Sequence, residues 1–100
     1  MTVVSVLRVP VRPGAEDELA DAYSRLQIFE LSRESGGFRR GSLLRPVAAG
    51  EPFLVLAEWD DEADYERWLA SPVRAGLARH LEPLIAGPLE GAVYEEVVRG

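Results

Sequence analysis

Trp59, Tyr65, Trp68, Arg79 and His80 crowd into one stretch, FLVLAEWDDEADYERWLASPVRAGLARH, from Phe53 to His80. Both tryptophans of the chain and one of its three tyrosines lie there. If these residues wall a pocket, the indole of Trp59 and the phenol of Tyr65 can donate hydrogen bonds from apolar bodies. Arg79, or Arg45 from further upstream, can hold an anion such as a phenolate or carboxylate. His80 is a candidate for proton transfer.

Each side chain also has a plainer role open to it. Trp59 ends an apolar run and either closes the sheet edge or lines a pocket. Tyr65 either packs with Trp68 and Leu69 or donates a proton, and Trp68 reads as core. Arg79 points away from Leu77 and Leu81 by helical periodicity, which suits the surface as well as an anion clamp. Arg45 sits with Arg39 and Arg40 on a solvated strand face or reaches into the pocket. His80 lies near a helix C-terminus, where the dipole alone favours an imidazolium. A lone histidine without partner ligands does not define a metal site. The chain has no cysteine, which removes disulfides, thiolate ligands and a Cys nucleophile. It also lacks a Gly-rich phosphate loop and a nucleophile elbow.

The elements that must carry these groups follow from pattern. Thr2 to Val9 is β-branched and apolar, with Val4, Val6 and, by alternation, Arg8 on one face and Val3, Ser5, Leu7 and Val9 on the other. Pro10 and Pro13-Gly14 end it. A helix is expected from about Ala15 to Ser32, acidic in its first turn, with Leu19, Ala22, Tyr23, Leu26 and Phe29 as one apolar stripe. Ser35-Gly36-Gly37 stops it. Phe38 to Val47 reads as the second strand and Phe53 to Trp59 as the third. A two-part helix spans Asp61 to Leu84, restarted at Ser71-Pro72, a good N-cap and first-turn pair. Leu89 to Val98 reads as the fourth strand. The order β-α-β-β-α(α)-β predicts an α+β, ferredoxin-like sandwich with the first and third strands central, residues 1–100 forming one domain.

Helices on one face leave an apolar second face, since strand three has no wet side. An exposed face of that size points to a homodimer packed sheet against sheet. The net charge of −6, with all eleven basic residues arginine, argues against a nucleic-acid partner. No stretch has transmembrane length, and the N-terminus lacks the marks of a signal peptide, so a soluble cytoplasmic protein is expected.

The run FLVLAEWDDEADYERWLASP, the Gly-Gly-Phe before strand two and the closing AVYEEVV resemble the antibiotic biosynthesis monooxygenase family of dimeric α/β-barrel proteins. The resemblance covers nearly the whole chain. It implies a cofactor-independent oxygenation, without flavin, haem or metal, in which an aromatic polyketide-type phenol of the anthrone or naphthol kind is oxidised to a quinone by O2. Matched without gaps to that branch, the pocket Trp, Tyr and Arg fall on Trp59, Tyr65 and Arg79. Two positions depart: a family Asn is Val55 here, and a family His is Arg45. Val55 can only pack, which keeps open a non-oxygenase cyclase or isomerase, or a small-molecule binding protein, on the same dimer. Haem-degrading relatives need an Asn on strand one, a helix Trp and an iron-ligating His ten residues on. Trp68 matches the Trp, but strand one has no Asn, the tenth residue is Ala78, and His80 comes two residues late. No cofactor is therefore expected.

Overall fold

The structure, a computed structural model, describes residues 2–100. Val3–Val9 (β1) is paired on both sides, antiparallel to Phe53–Trp59 (β3) and to Glu90–Glu95 (β4). Phe38–Leu44 (β2) joins the far edge of β3, also antiparallel, giving the order β2-β3-β1-β4. The first and third strands are central, as the pattern requires. Glu16–Arg25 (α1) and Ile28–Ser35 (α2) connect β1 to β2. Glu62–Leu69 (α3), Pro72–Leu81 (α4) and a 3₁₀ turn at Glu82–Leu84 connect β3 to β4.

Register decides which face each strand residue serves. Val3 pairs with Trp59, Ser5 with Ala57, Leu7 with Val55 and Val9 with Phe53, so these eight point to the helices. The core is built from Val3, Val9, Phe53, Ala57 and Trp59 below and from Leu19, Ala22, Ile28, Tyr65, Trp68 and Leu81 above. On the opposite face Val4, Val6, Leu54 and Leu56 are half-buried, and Leu44 and Tyr94 are exposed, at 41% and 58%. Glu58 is the buried charge on that face, where it pairs with Arg40 and Arg99.

The helix starts behave as their residues dictate. The Asp61 carboxylate accepts from the Ala63 N–H at 3.0 Å, and the Ser71 hydroxyl accepts from the Val73 N–H at 3.1 Å with Pro72 behind it. The break between α3 and α4 is therefore a capped restart.

The expected single helix from Ala15 to Ser32 is two. Gln27 takes a left-handed conformation, φ 53° and ψ 46°, and re-aims the chain between α1 and α2. Nothing in the local sequence marks this, because Gln is neither Gly nor Asn. Tertiary packing supplies the reason: α2 brings Phe29 onto β2 at Gly41, where an added Cβ would lie 2.5 Å from the Phe29 Cε1. The far end of α2 closes on Gly36, φ 101°, another left-handed residue. Two strands are also shorter than expected. β2 stops at Leu44, two residues before Pro46, and β4 stops at Glu95, where its partner β1 begins at Val3.

Gly41→Ala should destabilise the protein by about 1–3 kcal/mol, since its methyl must displace the Phe29 ring from a packed site. Chemical denaturation of Gly41→Ala, Phe29→Leu and the pair checks this. The double variant should recover part of the loss, and strict additivity would show that the contact does not govern this packing.

Candidate active site

The site begins with Trp59. It ends β3 with 1% of its surface exposed, between Val3 on β1 and Phe38 on β2. A buried indole N–H needs an acceptor. It finds one in Ser5: Trp59 Nε1–H donates to Ser5 Oγ at 3.0 Å. The donor that sequence reasoning offers to a substrate is therefore already engaged within the sheet, and Trp59 serves the cavity with its ring. Ser5 is the residue that reading overlooks. Its signal is a hydroxyl set in the otherwise apolar start of β1, Val3-Val4-Ser5-Val6-Leu7.

From Trp59 a succession of rings crosses the helical layer. Tyr65 tilts against Trp59 at 5.6 Å, and Phe38 meets it edge-on at 5.3 Å. Phe29 stacks on Phe38 at 6.0 Å, and Tyr23 follows at 5.7 Å. These rings bound a cavity of about 610 Å³ between the sheet and the helices. Its floor is Ser5, Leu7, Val9, Val55 and Ala57, and α3 and α4 supply Tyr65, Trp68, Arg74, Leu77 and Ala78. The volume and the apolar lining suit a small polycyclic ligand.

Of the residues singled out in the sequence, Trp59, Tyr65, Trp68, Val55 and Arg79 come together around this cavity. Arg79 is exposed, so it contributes from the outer part of the lining. Arg45 and His80 do not join them. Arg45 lies beyond the end of β2, where its Nη2 donates to Asp17 Oδ1 at 2.7 Å and its guanidinium covers Phe53 at 5.5 Å. Its place as a substrate donor is corrected accordingly: strand two stops before it, and Asp17 on α1 takes it up. His80 is exposed on α4 and outside the lining, to which that helix gives Arg74, Leu77, Ala78, Arg79 and Leu81.

Tyr23 and Arg74 are the other functional groups that the sequence left aside. Burial pushes the Tyr23 phenol from 10.0 up to about 12, with the Arg74 guanidinium pulling weakly the other way. Tyr65 is raised for the same reason and opposed by the same cation. Both phenols thus stay protonated at neutral pH and act as donors rather than bases. Neither hydroxyl, nor Arg74, has a hydrogen-bond or ion-pair partner among the described residues. The charged residues of the lining are Arg12, Arg74, Arg79 and Glu82, a positive balance.

Comparison with known proteins sets this geometry in context. Residues 2–78 match the family described as antibiotic biosynthesis monooxygenase. A mycobilin-producing haem oxygenase of Mycobacterium tuberculosis is 32% identical over 81 residues, covering 80% of this chain and 74% of that protein. Among solved structures, SnoaB, a cofactor-independent oxygenase from Streptomyces nogalater, superposes with a TM-score of 0.80 at 26% identity, covering 98% of this chain and 95% of SnoaB. The haem degrader MhuD of M. tuberculosis, with two haems bound in its active site, gives 0.79 at 27% identity, with 98% of both chains covered.

The lining here does not fit haem ligation. It contains no imidazole; Ala78 stands in the wall, and the one histidine of the chain lies outside it.

The raised Tyr23 value fixes a stability trend. The unfolded phenol loses its proton near 10.0 and the folded one near 12, so stability is whole below pH 10 and falls as pH rises between them. Two units correspond to about 3 kcal/mol at most. Urea denaturation from pH 8 upward should show that decline, and Tyr23→Phe should flatten it. An unchanged slope in the variant would assign the decline to other groups.

Proposed function

Because the chain belongs to the antibiotic biosynthesis monooxygenase family, we propose that it is a cofactor-independent monooxygenase acting on an aromatic polyketide-type phenol. The substrate is anthrone- or naphthol-like, and the product is the quinone. The observation that carries this reading is the aromatic-walled cavity of about 610 Å³ holding two protonated phenols and a cationic rim.

The chemistry asks little of the protein beyond this. A bound anthrone loses a proton from its ring methylene, and the resulting anion is rich enough to give an electron to O2. The two radicals combine into a carbon–oxygen bond, the peroxide takes up a proton, and loss of water leaves the carbonyl. In sum CH2 and O2 become C=O and H2O. Charge develops first on the phenolate oxygen and then on the peroxide, where fixed hydrogen-bond donors stabilise it. In this reading Tyr65, in the cavity lining on α3, donates to that oxygen, and Arg79 adds positive charge from the outer lining. Trp59, Trp68 and Val55 supply the apolar contact that holds the rings.

The uncovered sheet face, with Val4, Val6, Leu54 and Leu56 at its centre, supports a homodimer packed through that face. Among the described residues no helix is long and apolar enough to cross a membrane.

Val55 favours a second reading. An apolar side chain in the floor, where the family resemblance expects an amide, removes a hydrogen-bonding group near the reacting oxygen. The same cavity would then serve a cyclase, an isomerase or a binding protein, none of which consumes O2.

Oxygen uptake and quinone absorbance, measured on metal- and flavin-free protein with an anthrone, separate the two. The first reading expects protein-dependent uptake, lowered at least about tenfold in Tyr65→Phe. Product formed equally well without oxygen would establish the second. For the assembly, sedimentation should give a dimer for the native chain and a monomer for Leu56→Arg. A native monomer would refute the sheet-to-sheet packing.

A further inference from the structure

Arg74 stands out among the cavity residues because its position goes against local preference. It lies in the first turn of α4, where a helix favours acidic side chains, and that turn has none. The Ser71 cap and Pro72 start the helix just before it, so the positive end of the helix and the guanidinium reinforce each other. Arg74 is half-buried, lines the cavity with Arg12, Arg79 and one carboxylate, Glu82, and has no carboxylate partner among the described residues. The other arginines of the lining differ. Arg12 donates its Nε–H to the Ile85 carbonyl at 3.2 Å, and Arg79 is exposed to water.

A half-buried guanidinium with no carboxylate partner keeps its charge and its N–H donors available to an anion that enters the cavity. Two more donors share the cavity, the hydroxyls of Tyr23 on α1 and Tyr65 on α3, neither held by a protein acceptor. Arg74 lines the same cavity as both tyrosines, and its charge acts on each phenol. One cation and two neutral O–H donors, with rings on the flanks, match an aromatic oxyanion. They do not match a neutral hydrocarbon or a cation.

We propose that Arg74, with the Tyr23 and Tyr65 hydroxyls, is an oxyanion-binding subsite that selects aromatic ligands bearing a carboxylate or an ionised phenol. Arg74 is a specificity-determining residue, and the ligand's charge is placed beside the helix α4 N-terminal turn. The assignment rests on the cavity being the substrate site, but it does not depend on which reaction follows.

Binding, not turnover, is the test. Titration calorimetry of the native protein at neutral pH would compare 2-naphthoate with its neutral counterpart 2-naphthamide. It would also compare 4-nitro-1-naphthol, ionised at that pH, with 1-nitronaphthalene. Each anion should bind on the order of tenfold or more tightly than its neutral counterpart, the scale of hydrogen bonds to a charged group. A preference confined to one pair tells a carboxylate site from a phenolate site. Arg74→Met should abolish the preference while neutral binding persists, and Arg74→Lys should retain part of it. Arg25→Met, at the exposed end of α1 outside the cavity, serves as the charge control and should change nothing.

Equal binding of anion and neutral ligand, or a preference that survives Arg74→Met, overturns the subsite while leaving the oxygenase reading to its own assay. Failure of all four ligands to bind overturns both.

Discussion

A buried indole must have its N–H satisfied, and in this chain that requirement ties the two central strands together. Trp59 at the end of β3 reaches across to Ser5 on β1, so the plane of its ring is set by a bond within the sheet. Phe38 and Tyr65 then pack against a wall whose orientation is already fixed. Loss of the serine hydroxyl would leave a polar group stranded in the core, a penalty of about 1–3 kcal/mol. The cavity inherits its shape from this arrangement: the ring is held from below, and the helices above need only come near it.

The second constraint is that the helices cover one face of a sheet that is apolar on both. Inside, α3 and α4 leave room between themselves and the strands, and that room is the cavity. Outside, the half-buried valines and leucines of β1 and β3 remain without cover. Glu58 is buried there, paired with arginines from β2 and from the C-terminal segment. Arg8 and Glu90 stand opposite each other at the other end of the same face, so charge brackets the apolar centre at both ends.

Much of this was legible in the sequence, because the governing interactions are local. β1 and β3 announce themselves by apolar runs ended by proline or an acidic turn, and Ser71-Pro72 declares the restart of the helix by chemistry that acts within three residues. The break at Gln27 was not legible. Its cause is the approach of Phe29 to Gly41 on another strand, and no residue near Gln27 records it. The site divides in the same way. Trp59, Tyr65 and Trp68 were found as aromatics clustered in sequence. Tyr23 looked like one more core position on an amphipathic stripe, and Arg74 like one more arginine in a chain rich in them. Their convergence depends on how three helices meet. Arg45 and His80 lie outside this cavity for the converse reason, being chemically apt residues that the chain's turns carry elsewhere.

The helix α2 lies between two left-handed residues, Gln27 at one end and Gly36 at the other. It is eight residues long, and it carries Ile28, Phe29 and Ser32 into the cavity lining. Such a segment is a cassette. Its boundaries are conformational joints, its inward face touches the ligand space, and the strands that fix Trp59 lie outside it. Phe29 also packs on Gly41 and Phe38 of β2, so the part of the wall that meets a ligand is at the same time a part of what holds the helix to the sheet.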